Sequence, residues 1–207
     1  MEFLKAFISL LVLINPIGAI PLFISLTQNQ SAAQRKRTIR TASIAVALVI
    51  VISAFTGEWV IKLFGISMAS FRTAGGILLL LLAISMLNAQ LTPARQTQEE
   101  SDEAGSKESV AVVPLAIPLL TGPGSISTVI IIADSIKHWW QYSYLVAAGL
   151  VIGAITYVAL SLAGPISRMV GRTGINISTR IMGLLLAAVG IEFITSGLAT
   201  LLPGLAR

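Results

Sequence analysis

Two apolar stretches, each long enough to span a bilayer, are interrupted by helix-breaking residues at matching positions. Asn15-Pro16-Ile17-Gly18 breaks the run over residues 6–26, and Thr121-Gly122-Pro123-Gly124-Ser125 breaks the run over residues 111–133. Pro16 and Pro123 stand 107 residues apart, and the same offset carries Gly57 onto Gly164 and Gly76 onto Gly183. Non-helical backbone is tolerated at hydrocarbon depth only where protein or a water-filled cavity satisfies its polar groups. The matched breaks therefore predict an opening within the membrane, the arrangement that forms a transport site between two repeats. The competing reading is a pair of ordinary proline kinks covered by neighbouring helices.

With 55% apolar and 11% charged residues in 207, the chain is too greasy for an ordinary soluble domain and reads as an integral membrane protein. Spans are expected at residues 6–26, 42–61, 71–88, 111–133, 144–163 and 181–202, each near the ~20 residues a membrane helix needs. Residues 6–14 resemble the apolar core of a signal peptide, but Glu2 offsets Lys5 and the run continues to Leu26, which favours a retained span. The expected fold is all-α: six transmembrane helices as two inverted 3+3 repeats, with the first and fourth helices broken. Residues 1–90 form the first repeat and 111–207 the second. The Gln-, Glu- and Ser-rich linker over 91–110 cannot pack a core and reads as a mobile cytoplasmic loop. Three spans per half force the halves to cross the bilayer in opposite senses, about a pseudo-two-fold axis in its plane.

The net charge of +5 is scattered over short loops, which argues against a nucleic-acid partner and reports orientation instead. Arg35, Lys36, Arg37, Arg40, Arg95, Lys107, Arg168, Arg172 and Arg180 fall on one side, against Lys5, Lys62, Arg72, Lys137 and Arg207 on the other. The richer side should be cytoplasmic, leaving both termini outside, with Trp59, Trp139 and Trp140 beside Tyr142 and Tyr144 in an outer aromatic belt. There is no cysteine, hence no disulfide or thiolate metal site. No paired carboxylates, zinc spacing, phosphate loop or nucleophile triad points to an enzyme, a metal or a cofactor.

At the first break Pro16 lacks an N–H and displaces a carbonyl of the preceding turn. Asn15 stands where an N-cap would, with Pro16 at the first helical position of a new segment. Gly18 permits close approach of backbone or ligand. Gly122, Pro123, Gly124 and Ser125 repeat the pattern, with Thr121 and Ser125 adding hydroxyls. Each break is expected to leave a half-helix whose N-terminus, with its partial positive charge and free N–H groups, suits a carboxylate. Two such ends together would bind an anion without any charged side chain. Pro21, Pro114 and Pro118 add distortion nearby, as hinges or as simple shaping.

Glu192 is the one carboxylate expected in the middle of a span, so it should face a cavity or a partner. It reads either as a proton or sodium relay or as a protonated side chain bonded to a neighbouring helix. Glu58, Asp134 and His138 should reach water at span ends. Gly149 and Gly153, one turn apart, read as close helix packing within the chain or as a contact in a homo-oligomer.

The ordered set Asn15-Pro16-Ile17-Gly18 with Pro21 and Phe23, Phe71-Arg72-Thr73-Ala74-Gly75-Gly76, Pro114 to Ser125, and Met182 to Leu186 resembles the MarC family of bacterial and archaeal inner-membrane proteins. The resemblance covers nearly the whole chain, with a departure at Glu192, where many members carry Gln. It implies a six-helix fold related to the lysine-exporter superfamily, whose members move small amino acids and metabolites. The expected activity is secondary transport, across the cytoplasmic membrane, of a small carboxylate-bearing solute such as a neutral amino acid. Asn15, Pro16, Gly18, Thr121, Gly122, Pro123, Gly124 and Ser125 would form its site. The alternative is a membrane scaffold or assembly factor that moves nothing.

Overall fold

A computed structural model describes residues 2–88 and 120–206 of the chain. The 91–110 linker, Pro114 and Pro118 lie outside the described residues. Among those described, all regular structure is helical. The order is α1 (Glu2–Ile14), α2 (Ile20–Leu26), α3 (Ala32–Leu63), α4 (Met68–Leu87), α5 (Pro123–Asp134), a 3-10 turn at Trp139–Gln141, α6 (Tyr142–Ser161), α7 (Ala163–Leu201) and a closing 3-10 turn at Pro203–Ala206.

Four stretches are long and apolar enough to cross a bilayer: Ala32–Leu63, Met68–Leu87, Trp139–Ser161 and Thr173–Leu201. They match four of the expected spans, with corrected limits. The basic stretches assigned to loops are helical: Arg35 to Arg40 ride on α3, and Arg168 and Arg180 on α7. Ser31-Ala32-Ala33-Gln34 explains the early start of α3. Ser31 Oγ accepts from the Gln34 N–H at 3.3 Å and Gln34 Oε1 accepts from the Ser31 N–H at 2.9 Å, a complete capping box. At the other end Gly65, at φ 66°, closes the helix: its N–H reaches the Lys62 carbonyl at 3.0 Å and the Ile66 N–H reaches that of Ile61 at 3.1 Å. α7 continues from Ala163 and is bent once, at Gly171 (φ 65°, ψ 174°). The first expected span is present as α1 and α2 with the break between them. Of the fourth expected span, only the stretch after its break is described as a regular helix, α5.

Helices pair by backbone contact. A Cβ built on Gly76 of α4 would lie 2.6 Å from the Gly190 carbonyl oxygen of α7, one on Gly197 2.8 Å from that of Ala69, and one on Gly183 3.1 Å from that of Ala83. Small residues at 69, 76 and 83 thus meet glycines at 197, 190 and 183 in antiparallel register, one contact every seven residues. α3 and α6 pack the same way. Cβ atoms on Gly149 and Gly153 would meet the Ala47 carbonyl at 3.4 Å and the Ser43 carbonyl at 3.0 Å, so both glycines are buried in contacts within the chain. α5 is wedged between α3 and α4, with Ile130 against Gly57 and Ile131 against Gly75. Gly164, the expected counterpart of Gly57, faces open space.

Large apolar side chains cover the outside: Ile52 of α3, Leu81 of α4, Leu150 of α6 and Leu184 of α7 are all more than half exposed. Such a surface fits lipid and is untenable in water. Inside, hydroxyls turn onto their own helices, as with Thr128 onto the Gly124 carbonyl and Thr156 onto that of Ile152, both 2.8 Å. This satisfies them where no water is at hand.

Candidate functional site

The first break is tightly self-satisfied. Asn15 is left-handed at φ 40°, and its side-chain Oδ1 accepts from the Gly18 N–H at 3.1 Å, the N-cap bond expected of it. The Ala19 N–H reaches the Asn15 carbonyl at 3.2 Å and the Ile20 N–H that of Ile17 at 3.1 Å. Regular helix resumes only at Ile20, after Pro16 has interrupted the ladder. This corrects the expectation that Gly18 offers a free donor: its N–H is engaged inside the chain. Its lack of a side chain makes room for Asn15, whose Cγ would lie 2.8 Å from a Cβ there.

The second break is buried and built differently. Gly122 is extended (ψ 178°) before Pro123 begins α5, with no side-chain cap. The Gly122 carbonyl accepts from the Ser125 and Ile126 N–H groups at 3.0 and 3.2 Å, and Ser125 Oγ donates to the Leu120 carbonyl at 3.5 Å. Thr121 is fully buried. Leu13 and Leu79 side chains come within 3.5 and 3.0 Å of the position of a Gly124 Cβ. Leu13, just before the first break, thus packs on Gly124 of the second, and the contact there is between leucines and backbone. The Gly18, Ala19, Ile20, Ser125 and Ile126 N–H groups, expected to be exposed donors, are engaged by local turns.

The charged residues gather elsewhere. An open cleft of about 990 Å³ lies at one end of the bundle, between α1, α4, α5, α6 and α7. Ser9, Arg72, Lys137, Gln141, Glu192 and Ser196 supply its polar wall, and none of the break residues lines it. Glu192 faces a cavity, as a span-embedded carboxylate must. Arg72, half-buried at the start of α4, ties three helices together. Its Nη1 donates to Ser196 Oγ of α7 at 3.1 Å, and its Nη2 lies 3.5 Å from Asp134 Oδ2 at the end of α5. Its Nε is buried and has no hydrogen-bond partner among the described residues.

Below the cleft, Val12, Leu13, Leu79, Ala83, Met86 and Leu186 form an apolar cluster against which Val189 and Phe193 of the cleft wall also pack. Leu13 and Leu79 of that cluster are the residues against Gly124. The order from the open end is thus charged cleft, apolar floor, broken helices. Apart from its place in the motif that carries the family resemblance, Arg72 reads from the sequence as an orientation marker. The available signal was an arginine inside Phe71-Arg72-Thr73-Ala74-Gly75-Gly76, at the start of an otherwise apolar helix.

Trp59 and Trp139, 80% and 86% exposed, and Trp140, stacked edge-on to Tyr144, lie near the ends of α3 and the start of α6. Glu58 pairs with Lys62, and His138 stacks on Trp140, all at helix ends as expected. No cluster of potential metal ligands occurs among the described residues.

These features define a multi-pass helical membrane protein with an interior cleft. Residues 1–202 match the MarC family of integral membrane proteins, and the chain belongs to that family. It is 44% identical over 204 residues to the UPF0056 membrane protein YhcE of Escherichia coli, covering 98% of this chain and 94% of that one. It is 36% identical over 196 residues to the UPF0056 membrane protein MJ1677 of Methanocaldococcus jannaschii, covering 95% of each. A UPF0056 membrane protein of Aquifex aeolicus is 34% identical over 200 residues, covering 97% and 94%. No solved structure matches the chain.

Proposed function

We propose that the protein is a secondary transporter of a small carboxylate-bearing solute, a neutral amino acid in particular, in the cytoplasmic membrane. The observation that carries this reading is the charged cleft at one end of the bundle, closed below by an apolar cluster that abuts two adjacent helix breaks. A cleft open on one side and sealed on the other is one half of an alternating-access cycle. The breaks supply the non-helical joints about which short helical segments can move when the seal passes to the other side. In this reading the six-span inverted repeat places residues 1–90 and 111–207 about a pseudo-two-fold. The exchange of Gly76 against Gly190 for Gly183 against Ala83 under the 107-residue offset supports it. Both termini lie outside, and the cleft opens to that side. Relatives in bacteria and archaea support the cytoplasmic membrane as the location.

Glu192 is assigned the coupling role, taking up a proton or sodium ion. Arg72 and Lys137 line the same cleft, and Asp134 lies against Arg72. Purified protein in proteoliposomes is expected to give saturable uptake of labelled glycine and alanine. Absence of flux for every small amino acid and carboxylate offered, with correctly inserted protein, would replace this reading with a scaffold or assembly role. Glu192→Gln is expected to flatten the dependence of flux on pH and on sodium. Unchanged profiles for both would remove Glu192 from coupling.

A further inference from the structure

We infer that Arg72 and Glu192 form a zwitterion clamp, with Arg72 receiving the α-carboxylate of an amino acid and Glu192 its ammonium group. The inference rests on the transport reading and names the recognition chemistry of the same cleft. Arg72 and Glu192 both line the cleft, on facing helices α4 and α7. Their separation is set by Ser196, which accepts from Arg72 Nη1 at 3.1 Å and stands one helical turn beyond Glu192. Residues four apart on a helix have Cβ atoms about 5–6 Å from one another on one face. The carboxylate thus stands one turn deeper than the guanidinium contact, a spacing suited to a small solute whose opposite charges are two bonds apart.

The guanidinium is held but not saturated. Ser196 and Asp134 hold its two terminal nitrogens, the latter only at 3.5 Å, while Nε is buried with no hydrogen-bond partner among the described residues. A buried donor without a partner is costly, and a planar guanidinium matches a carboxylate through two parallel N–H bonds. A solute carboxylate that displaces the long Asp134 contact at Nη2 and opens the packing over Nε would satisfy the first and complete the second. Glu192 has no arginine or lysine ion pair among the described contacts. An ammonium on the solute would meet the Glu192 carboxylate in the state in which it holds no coupling ion.

The test compares ligands that keep one charge and lose the other. Binding of alanine, propionate and ethylamine to detergent-purified protein is measured by calorimetry at one pH. Alanine is expected to bind at least tenfold more tightly than either truncated analogue. Arg72→Gln is expected to weaken alanine at least tenfold while leaving ethylamine as it was, and Glu192→Gln to weaken alanine while leaving propionate as it was. A purely structural Arg72 would lower the melting temperature of Arg72→Gln without changing the ratio of alanine to ethylamine affinity, and that result overturns the clamp. Equal binding of alanine and propionate by the unmodified protein also overturns it, even if Arg72→Gln fails to fold. Saturable alanine flux combined with either result leaves the transport reading standing. Absence of binding and flux for all small solutes removes both.

Discussion

Gly76→Ala is expected to be among the most damaging single-methyl additions in the protein, while Gly164→Ala is expected to be harmless. A Cβ at position 76 would lie 2.6 Å from the Gly190 carbonyl oxygen and 2.8 Å from the Ile194 amide nitrogen. Both obstacles are backbone of a helix that packs along the whole of α4, so neither can swing aside as a side-chain end can. Overpacking of this kind costs about 1–3 kcal/mol and more where backbone must move. Position 164 meets nothing within 4 Å, and replacing a helical glycine by alanine there should contribute about 0.5–1 kcal/mol. Thermal unfolding of both variants in the same detergent reads the difference directly. Equal melting temperatures would mean that α4 and α7 do not meet at residues 76 and 190.

The second large effect is expected at Asn15. Asn15→Ala removes the bond to the Gly18 N–H, worth about 1 kcal/mol as a helix cap, and with it the local hydrogen bonding that lets asparagine hold the left-handed region, while keeping the Cβ that opposes it. Asn15→Gly removes the same bond and relaxes the backbone. The alanine variant should therefore melt below the glycine variant, and both below the unmodified protein. Transport should fall in both, because the part-buried Gly18 N–H would lose its partner at the break. The order of the two melting temperatures is the decisive reading. If alanine and glycine behave alike, the residue is not left-handed, and the break is built some other way.

The reason Asn15 was legible in the sequence is local. Asn-Pro-Ile-Gly carries its own instructions, an acceptor side chain, a missing donor and a residue without Cβ, and the chain folds there much as those instructions say. The membrane class was equally plain, since greasy runs of span length leave few alternatives. What the residues could not convey by themselves was long-range. The limits of α3 and α7 were set too narrow because Arg35 to Arg40 and Arg168 to Arg180 look like loop, whereas Ser31 and Gln34 start the helix before them. The breaks were read as exposed donors because consumption of the Gly18 and Ser125 N–H groups by turns is a three-dimensional fact. Arg72 does not stand out as a site residue, because an arginine at a span end has a ready explanation in membrane orientation. Its bond to Ser196, 124 positions away along the chain, is invisible to any local pattern.

Glycine and alanine at every seventh place give α4 and α7 faces that touch main chain to main chain. Ile194 of α7 sits over Gly76 of α4, and Thr73 of α4 over Gly197 of α7, so the two faces are notched into one another and resist travel as well as parting. α7, which carries Glu192, is therefore keyed to α4, and the bond of Arg72 to Ser196 adds a pin to the key. Any rearrangement of the bundle would carry Glu192 and Arg72 as passengers on one rigid pair, their spacing preserved.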